Sequence, residues 1–150
     1  MRVLVDTNVV LDVLLERRPF SEAAAQVFAL VEESRIEGFL CATTLTTVDD
    51  LLGQALAPAK AREALQRLLS LFEIAPVNRP VLELALRSGI ADFEDAVLEQ
   101  AGRLVAVDAI TTRNVRDFGK STVTVFDPLE LISTVKAKES TSQATDGDEQ

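Results

Sequence analysis

Histidine, tryptophan and tyrosine are absent from this 150-residue sequence, and cysteine occurs once, as Cys41. Without histidine the chain has no histidine-based catalytic triad, no histidine-ligated zinc and no histidine general base. A single cysteine excludes an intrachain disulfide and favours a reducing compartment. Any metal site must therefore be built from oxygen ligands, which favours Mg²⁺, Mn²⁺ or Ca²⁺. The missing tryptophan and tyrosine leave only phenylalanine to stack on nucleic-acid bases.

Long apolar runs are also absent. No run approaches the ~20 residues that a membrane-spanning helix needs. The opening MRVLVDTN lacks the apolar region of a secretory signal. We therefore expect a cytoplasmic protein with no membrane partner.

Positive charge is in the minority, since 15 basic residues face 24 acidic ones and the net charge is −9. An acidic chain generally argues against nucleic-acid binding. Two arrangements would remove that objection. The acids can cluster as metal ligands, whose charge a cation offsets, or a basic partner can cover an acidic face.

Apolar segments of strand length alternate with segments of helical periodicity along the chain. This alternation predicts a parallel sheet covered by helices on both faces, a three-layer α/β/α sandwich of the α/β class. The length suits one domain, which we place at residues 1–135, followed by a polar tail at 136–150 that we expect to be disordered. Strands are expected at 2–5, 39–42, 73–77, 105–111 and 122–126, and helices at 9–15, 22–35, 48–56, 59–72, 80–87, 92–104 and 128–135.

Acidic residues follow the predicted strands or open a late helix. In parallel α/β folds the working site lies beyond the carboxyl ends of the strands. Asp6 comes directly after the first strand, and a polar loop at 112–118 follows a late one. Asp92, Asp95 and Glu99 share one face of the helix expected at 92–104. Each acid taken alone also suits a helix cap or the first turn of a helix.

Three motifs together carry a family resemblance: DTN at 6–8, DFEDA at 92–96 and TTRNVRDF at 111–118. In order and spacing, from residue 1 to about 132, the chain resembles a PIN domain, the nuclease fold of VapC-like toxins. The resemblance implies a metal-dependent endoribonuclease whose carboxylates hold Mg²⁺ or Mn²⁺ and whose products carry 5′-phosphate and 3′-hydroxyl ends. It also implies a homodimer and an antitoxin partner that blocks the site.

The resemblance assigns site residues one by one. Asp6 matches the first acid, Asp95 the acid that opens the late helix, and Asp117 the acid of the final loop. These three are the expected metal ligands, and Asp92 joins them as a candidate catalytic residue. The expected substrate-binding or supporting residues are Asn8, Thr112, Arg113 and Asn114.

One position departs from the family pattern. The family usually carries a glutamate near the start of a helix after the second strand, in a pattern like T-L-x-E. Here that stretch is TLTT at 44–47, so Thr47 stands where the glutamate is expected. Asp50, three residues further on, can reach the same helix face and is a further candidate ligand. Asp49 is expected nearer to solvent or an interface.

Other readings start from the same residues. With Thr47 unable to hold metal, the chain would be a catalytically inactive PIN-fold module that binds RNA or a protein, and metal affinity distinguishes the two. A response-regulator receiver needs an aspartate at the end of its middle strand, where this sequence has Pro76-Val77-Asn78. A haloacid-dehalogenase-type phosphatase needs a second aspartate two residues after the first, where this sequence has Asn8.

Overall fold

The computed structural model describes residues 1–148, which fold around one five-stranded sheet. The strands are β1 (Arg2–Val5), β2 (Glu37–Cys41), β3 (Glu73–Ala75), β4 (Ala109–Thr111) and β5 (Thr124–Phe126). The helices are α1 (Thr7–Leu14), α2 (Ser21–Glu32), α3 (Ala42–Ala55), α4 (Pro58–Leu71), α5 (Arg79–Leu86), α6 (Phe93–Leu104) and α7 (Pro128–Asp148), with a 3₁₀ turn at Val115–Phe118. The strand order is β3-β2-β1-β4-β5 and every neighbouring pair is parallel. The predicted α/β/α fold is thus confirmed.

Strand β1 lies at the centre of the sheet and is buried on both faces. Successive side chains of a strand point to opposite faces. Val3 and Val5 accordingly pack with residues of α1, α2, α4 and α7 in one core cluster. Leu4 packs with residues of α5 and α6 in the other. This two-sided burial explains why β1 reads as a continuous apolar run.

The order of the strands creates a switch point between β1 and β4. The chain moves outwards from β1 through β2 to β3, and then returns to the other side of β1 with β4 and β5. Such reversals leave a crevice at the carboxyl ends of the two central strands, where α/β proteins bind ligands. Val5 pairs with Thr111 in the parallel register. The residues that follow them, Asp6 and Thr112, are therefore neighbours.

Two elements begin four or more residues away from the position expected from the sequence. The strand predicted at 105–111 forms only at Ala109–Thr111, because the chain turns before it with Ala106 at a positive φ of 56°. The helix predicted at 48–56 begins at Ala42, directly after β2. This earlier start places Thr47 in the second turn of α3, close to the carboxyl edge of the sheet.

The polar segment after residue 135 differs from the expected disordered tail. The structure continues α7 through it to Asp148, and residues 149–150 lie outside the described part. Leu131, Ile132 and Val135 anchor the first turns in the core. Further along, the Glu139 carboxylate accepts two hydrogen bonds from Arg35, at 2.6 and 2.9 Å. None of the helices within residues 1–148 combines the length and apolarity that crossing a bilayer requires.

Candidate active site

Asp6 occupies the switch point and is held by its neighbours in the chain and across the sheet. Its side chain is 7% exposed. One carboxylate oxygen caps α1 by accepting from the Thr7 amide at 2.7 Å, and the other accepts from the Thr112 hydroxyl at 2.7 Å. The Asn8 amide donates to that second oxygen at 3.3 Å. The carboxylate is therefore fixed in orientation.

Burial raises the pKa of Asp6 above its ordinary value. The hydrogen bonds from Thr112 and Thr7 oppose this shift because they favour the charged form, whereas the charges of Glu94 and Asp117 add to it. The effect of Glu94 and Asp117 shows that two further carboxylates stand near Asp6. One comes from α6 and the other from the 3₁₀ turn after β4.

Asp95 carries the larger perturbation. Burial, followed by the charges of Asp6, Asp92, Asp117 and Glu94, raises the pKa of Asp95 to about 7. Four carboxylates thus act on a fifth across the carboxyl edge of the sheet. Perturbed acids gathered in one cleft are typical of functional sites, because like charges are seldom assembled for stability alone. Of the candidate residues, Asp95 and Asp117 line the same cleft, and the charges of Asp6 and Asp117 act on Asp95.

Asp92 has a local structural task in addition to its place near the site. It precedes the first residue of α6, and its Oδ1 accepts from the Asp95 amide at 3.0 Å. This is the geometry of a helix N-cap. Asp92 still lies in the same open cleft as Asp95, so capping and a contribution to the site's charge occur together.

The cleft beside these acids also has a basic side. It has a volume of about 580 Å³ and is open to solvent. Its charged lining residues are Asp92, Asp95, Arg116, Asp117 and Lys120. Acids from α6 and cations from the segment after β4 therefore face the same volume. The cationic side chains of such a cleft can attract a negatively charged ligand, and its carboxylates can attract a metal cation to the same volume.

The structure does not link Asp50 to this group of acids. Asp50 is exposed on α3, and within residues 1–148 no hydrogen bond or ion pair ties it to the site. Asp49, its neighbour, lies 3.9 Å from Arg62 of α4. Instead, the α3 side chain that reaches α6 is Thr47, whose hydroxyl lies 3.4 Å from Glu94 Oε1.

The predicted supporting residues form a network behind Asp6. Asn8 Nδ2 donates to the Thr112 hydroxyl at 3.3 Å, and Asn8 Oδ1 accepts from the Arg113 amide at 3.2 Å. The Thr112 hydroxyl also accepts from the Asn114 amide at 3.1 Å. These contacts tie the loop after β4 to the start of α1. The side chains of Asn8 and Thr112 are thus engaged in orienting Asp6.

Arg113 is engaged by a buried acid that sequence reasoning missed. Asp12, on α1, is 1% exposed and forms an ion pair with Arg17 at 2.8 Å. Its other oxygen lies 2.9 Å from Arg113 Nε, without the alignment of a hydrogen bond. The Arg113 guanidinium also lies 4.0 Å from the centre of the Phe20 ring, in cation–π contact. The spacing of Asn8 and Asp12, one helical turn apart, is the signal that could have indicated this role.

A divalent cation suits these donors in kind. Asp6, Asp95 and Asp117 offer only oxygen ligands, as Mg²⁺ and Mn²⁺ prefer. Burial is the main cause of the raised pKa of Asp95, and a cation would relieve the repulsion from neighbouring acids that adds to it. In their positions across residues 1–148, however, no three acidic or thiol side chains stand close enough together to hold a metal ion. The donor chemistry therefore fits, while a closed set of ligands is not preformed.

The structure is thus a parallel α/β domain with Asp6 at its switch point and a cleft lined by Asp92, Asp95 and Asp117. A family model described as the PIN domain matches residues 2–116, and the chain therefore belongs to the PIN domain family. No curated protein matches the sequence significantly.

Solved structures show the same fold. FitAcB from Neisseria gonorrhoeae is similar with a TM-score of 0.65 and 23% identity, over 85% of this chain and 98% of that one. A toxin–antitoxin complex from Klebsiella pneumoniae is similar with a TM-score of 0.64 and 24% identity, over 84% of this chain and 97% of that one. PAE2754 from Pyrobaculum aerophilum is similar with a TM-score of 0.62 and 17% identity, over 91% of this chain and 90% of that one.

Proposed function

We propose that the chain is a Mg²⁺- or Mn²⁺-dependent endoribonuclease, acting as the toxin of a toxin–antitoxin pair. The observation that carries this proposal is the set of acids at the carboxyl edge of the sheet, where the charge of Asp117 adds to the raised pKa of both Asp6 and Asp95, and the charge of Asp6 adds to that of Asp95. Membership of the PIN domain family supports a nuclease. The cations of the cleft support a phosphate-bearing substrate.

In this proposal Asp6, Asp95 and Asp117 hold the cation. When bound, the cation supplies charge stabilisation to the phosphoryl oxygens and an activated water. Hydrolysis to these products would join the water oxygen to phosphorus and break the bond from phosphorus to the 3′ oxygen, and a proton given up by the water would end on that 3′ oxygen. The hydrogen bonds from Thr112 and Asn8 keep the Asp6 carboxylate in place throughout.

The residues on the basic side of the cleft position the RNA. Arg116 and Lys120 lie across the same volume as Asp95 and bear the only positive charges among its lining residues. They attract the phosphates on either side of the scissile bond, which the net charge of −9 would otherwise repel. Arg113 acts indirectly, because its guanidinium is occupied by Asp12 and Phe20.

Cleavage of a mixed pool of single-stranded and structured RNA tests the proposal. The pool is incubated with the wild-type chain in Mg²⁺, in Mn²⁺ and in EDTA, and with Asp6→Asn and Asp95→Asn proteins. We expect cleavage with either metal that EDTA and both substitutions abolish. Products should carry 5′-phosphate and 3′-hydroxyl ends.

The matched control is Glu83→Gln. Glu83 is an exposed acid on α5 that pairs with Arg79 at 2.8 Å, so its loss should leave cleavage unchanged. Absence of cleavage by a folded wild-type chain with both metals would contradict the proposal. Cleavage that survives in folded Asp6→Asn or Asp95→Asn protein would place the chemistry elsewhere.

An antitoxin partner and a homodimer belong to the same proposal. Similar structures are described as a toxin–antitoxin complex and as a FitAB assembly bound to DNA, which supports a protein partner for this chain. Exposed leucines on α5, namely Leu82, Leu84 and Leu86, offer apolar surface for an interface.

We place the activity in the cytoplasm, where RNA is available. Light scattering of the purified chain measures its oligomeric state.

An RNA- or protein-binding module without catalysis is the second candidate. Two observations favour it: Thr47 carries no carboxylate, and no closed set of metal ligands is preformed within residues 1–148. A module of this kind would bind its partner equally well in Mn²⁺ and in EDTA. Direct titration of the chain with Mn²⁺ separates the candidates, because the nuclease must bind Mn²⁺ in order to act, whereas the binding module need not.

A further inference from the structure

Glu99 is a buried acid that the proposed mechanism does not use. The sequence predicts it on the α6 face of Asp92 and Asp95, but its side chain is 2% exposed and does not line the cleft. One carboxylate oxygen accepts from the Gln100 side chain at 3.0 Å, and the other accepts from the Thr122 backbone amide at 3.1 Å. Burial of a carboxylate is costly without such partners. Glu99 therefore ties α6 to the segment that leads into β5.

That segment carries Lys120 between two anchors. Phe118, two residues before Lys120, is buried in the core cluster that includes residues of α6. Thr122, two residues after Lys120, donates its backbone amide to Glu99. Because both anchors connect to α6, the backbone at Lys120 has a fixed place beside the helix that carries acids of the cleft.

The side chain of Lys120 is directed by Gly89, which follows α5. A Cβ atom at position 89 would stand 3.2 Å from Lys120 Cδ and 3.5 Å from Lys120 Cβ, so the lysine stem lies against the glycine backbone. Both residues line the cleft. Within residues 1–148 no hydrogen bond or ion pair holds the Lys120 amine. Its direction therefore depends on the packing of its stem, and its charge stays available to a ligand.

We propose that Glu99 and Gly89 are positioning residues for Lys120, and that together they hold its amine in the cleft where a phosphate of the RNA binds. Glu99 fixes the backbone of the segment, and Gly89 leaves room for the stem. A lysine that is ordered in advance loses less conformational freedom when it binds. This inference rests on the function proposed above for its substrate, RNA, but it involves none of the proposed metal ligands.

A simpler role for both residues is purely structural. Glu99 satisfies a backbone amide, and Gly89 lies just beyond the end of α5. Gly89 does not have a positive φ, however, so its backbone conformation does not require glycine. What alanine would disturb at this position is the stem of Lys120. The two roles therefore differ in whether a change at position 89 acts through Lys120.

The first test asks whether Gly89 acts through Lys120. Gly89→Ala is made in the Asp95→Asn chain, with and without Lys120→Gln, and binding of a labelled single-stranded RNA is measured by fluorescence anisotropy at constant Mg²⁺. We expect Gly89→Ala to weaken binding by about threefold where Lys120 is present, which corresponds to loss of one exposed charge contact. In the Lys120→Gln chain it should have no further effect, because both changes remove the same contact.

Gly53→Ala is the matched control for adding one methyl group. Nothing among residues 1–148 lies within 4 Å of the place where a Cβ of residue 53 would stand, so this variant should bind RNA as its parent does. Unchanged affinity in Gly89→Ala would overturn the inference. Equal weakening by Gly89→Ala with and without Lys120→Gln would also overturn it, because Gly89 would then act independently of the lysine.

The second test changes Glu99 in the chain with an intact site. Glu99→Gln keeps an oxygen acceptor for the Thr122 amide, whereas Glu99→Met keeps the length of the side chain and removes the acceptor. We expect Glu99→Met to raise KM for RNA cleavage by about threefold with kcat unchanged, because it loosens a binding residue. Glu99→Gln should stay close to wild type in both constants.

A lowered kcat with unchanged KM in folded Glu99→Met would contradict a positioning role for Glu99, as would wild-type values of both constants. Thermal unfolding shows whether each variant is folded. If Glu99→Met does not fold, the Gly89→Ala comparison decides the inference by itself.

Failure of the proposed function has a different signature. A chain that binds RNA through Lys120 but cleaves none with Mg²⁺ or Mn²⁺ contradicts the nuclease and supports the positioning of Lys120. A chain that cleaves RNA, with unchanged affinity in Gly89→Ala, contradicts the positioning alone. Absence of RNA binding contradicts both.

Discussion

At the scale of single residues, the site consists of acids held in places that disfavour their charge. Burial is the largest cause of the raised pKa of both Asp6 and Asp95, and neighbouring carboxylates add to it. Asp6 is partly compensated by hydrogen bonds from Thr112 and Thr7. For Asp95 every cause raises the pKa. The cost of keeping Asp95 charged is therefore the clearest physical trace of the site.

Asp95 should make the stability of the metal-free chain depend on pH. Its pKa is raised from 3.8 to about 7, so the folded state keeps a proton that the unfolded state releases. The free energy of unfolding should therefore fall as pH rises from about 4 to about 7, and then level off. In Asp95→Asn this fall should be reduced. Thermal unfolding of wild type and Asp95→Asn in EDTA at pH 5, 6, 7 and 8 measures this pH dependence. An equal change of stability with pH in the two proteins would contradict the raised pKa of Asp95.

Asp12 should matter for stability far more than its distance from the chemistry suggests. Asp12→Asn leaves Arg17 and Arg113 without their buried partner. Removing one member of a buried ion pair costs about 3 kcal/mol of unfolding free energy. Urea denaturation measures the loss. Asp49→Asn, which removes a half-exposed acid 3.9 Å from Arg62, is the comparison and should stay within about 0.5 kcal/mol of wild type.

At the scale of elements, the start of α6 shows how one short sequence divides its tasks. Asp92 lies just outside the helix and caps it, Asp95 faces the cleft, and Glu94 is directed towards α3. Adjacent residues of a helix point in directions about 100° apart, so neighbouring acids need not act together. The helix thus separates a run of acids in the sequence into a cap, a residue that lines the cleft and a residue that contacts α3.

Asp92 provides a test of this division. Asp92→Ala removes the acceptor of the Asp95 amide and should cost about 1 kcal/mol of unfolding free energy. Asp92→Asn retains an acceptor, and its cost should be a few tenths of a kcal/mol. If the side chain acts mainly as a cap, Asp92→Asn should still cleave RNA with Mn²⁺. Loss of cleavage in folded Asp92→Asn would assign Asp92 to the chemistry, and urea denaturation with a cleavage assay separates the two.

At the scale of the whole molecule, the negative net charge contrasts with the local positive charge on one side of the cleft. The chain carries a net charge of −9, yet Arg116 and Lys120 face the cleft. The RNA substrate that we propose would therefore be attracted by these local charges rather than by the field of the entire protein. A small number of phosphate contacts should be visible in the salt dependence of binding.

RNA binding should depend only weakly on salt. With two phosphate contacts, the slope of log K against log salt for a single strand is about −1.4, and Lys120→Gln should reduce its magnitude by about 0.7. Fluorescence anisotropy of a labelled RNA with the Asp95→Asn protein, at constant Mg²⁺ and varied KCl, measures the slope. Lys60→Gln, on α4, should leave it unchanged. A slope of wild-type steepness in Lys120→Gln would exclude Lys120 from the contact.

Much of the fold could be predicted because its signals are local. The buried strand at 2–5 and the helical periodicities require only neighbouring residues, and their alternation specified a parallel sheet. The boundaries of α3 and β4 were less accessible, since the early start of α3 and the turn at Ala106 depend on the geometry at the strand ends. The helical continuation of α7 to Asp148 includes a contact between Arg35 and Glu139, which lie far apart in the sequence.

The sequence by itself determined the kind of chemistry open to this protein. The absence of histidine and the presence of a single cysteine restrict metal ligands to oxygen, and the positions of Asp6, Asp95 and Asp117 after strands or at a helix start indicate one edge of the sheet. Only the tertiary structure decided which side chains meet there. The strand order places Asp6 beside Thr112, and a side-chain contact between α3 and α6 joins Thr47 to Glu94. Such contacts join residues 106 and 47 positions apart, and no local pattern in the sequence encodes a distance of that kind.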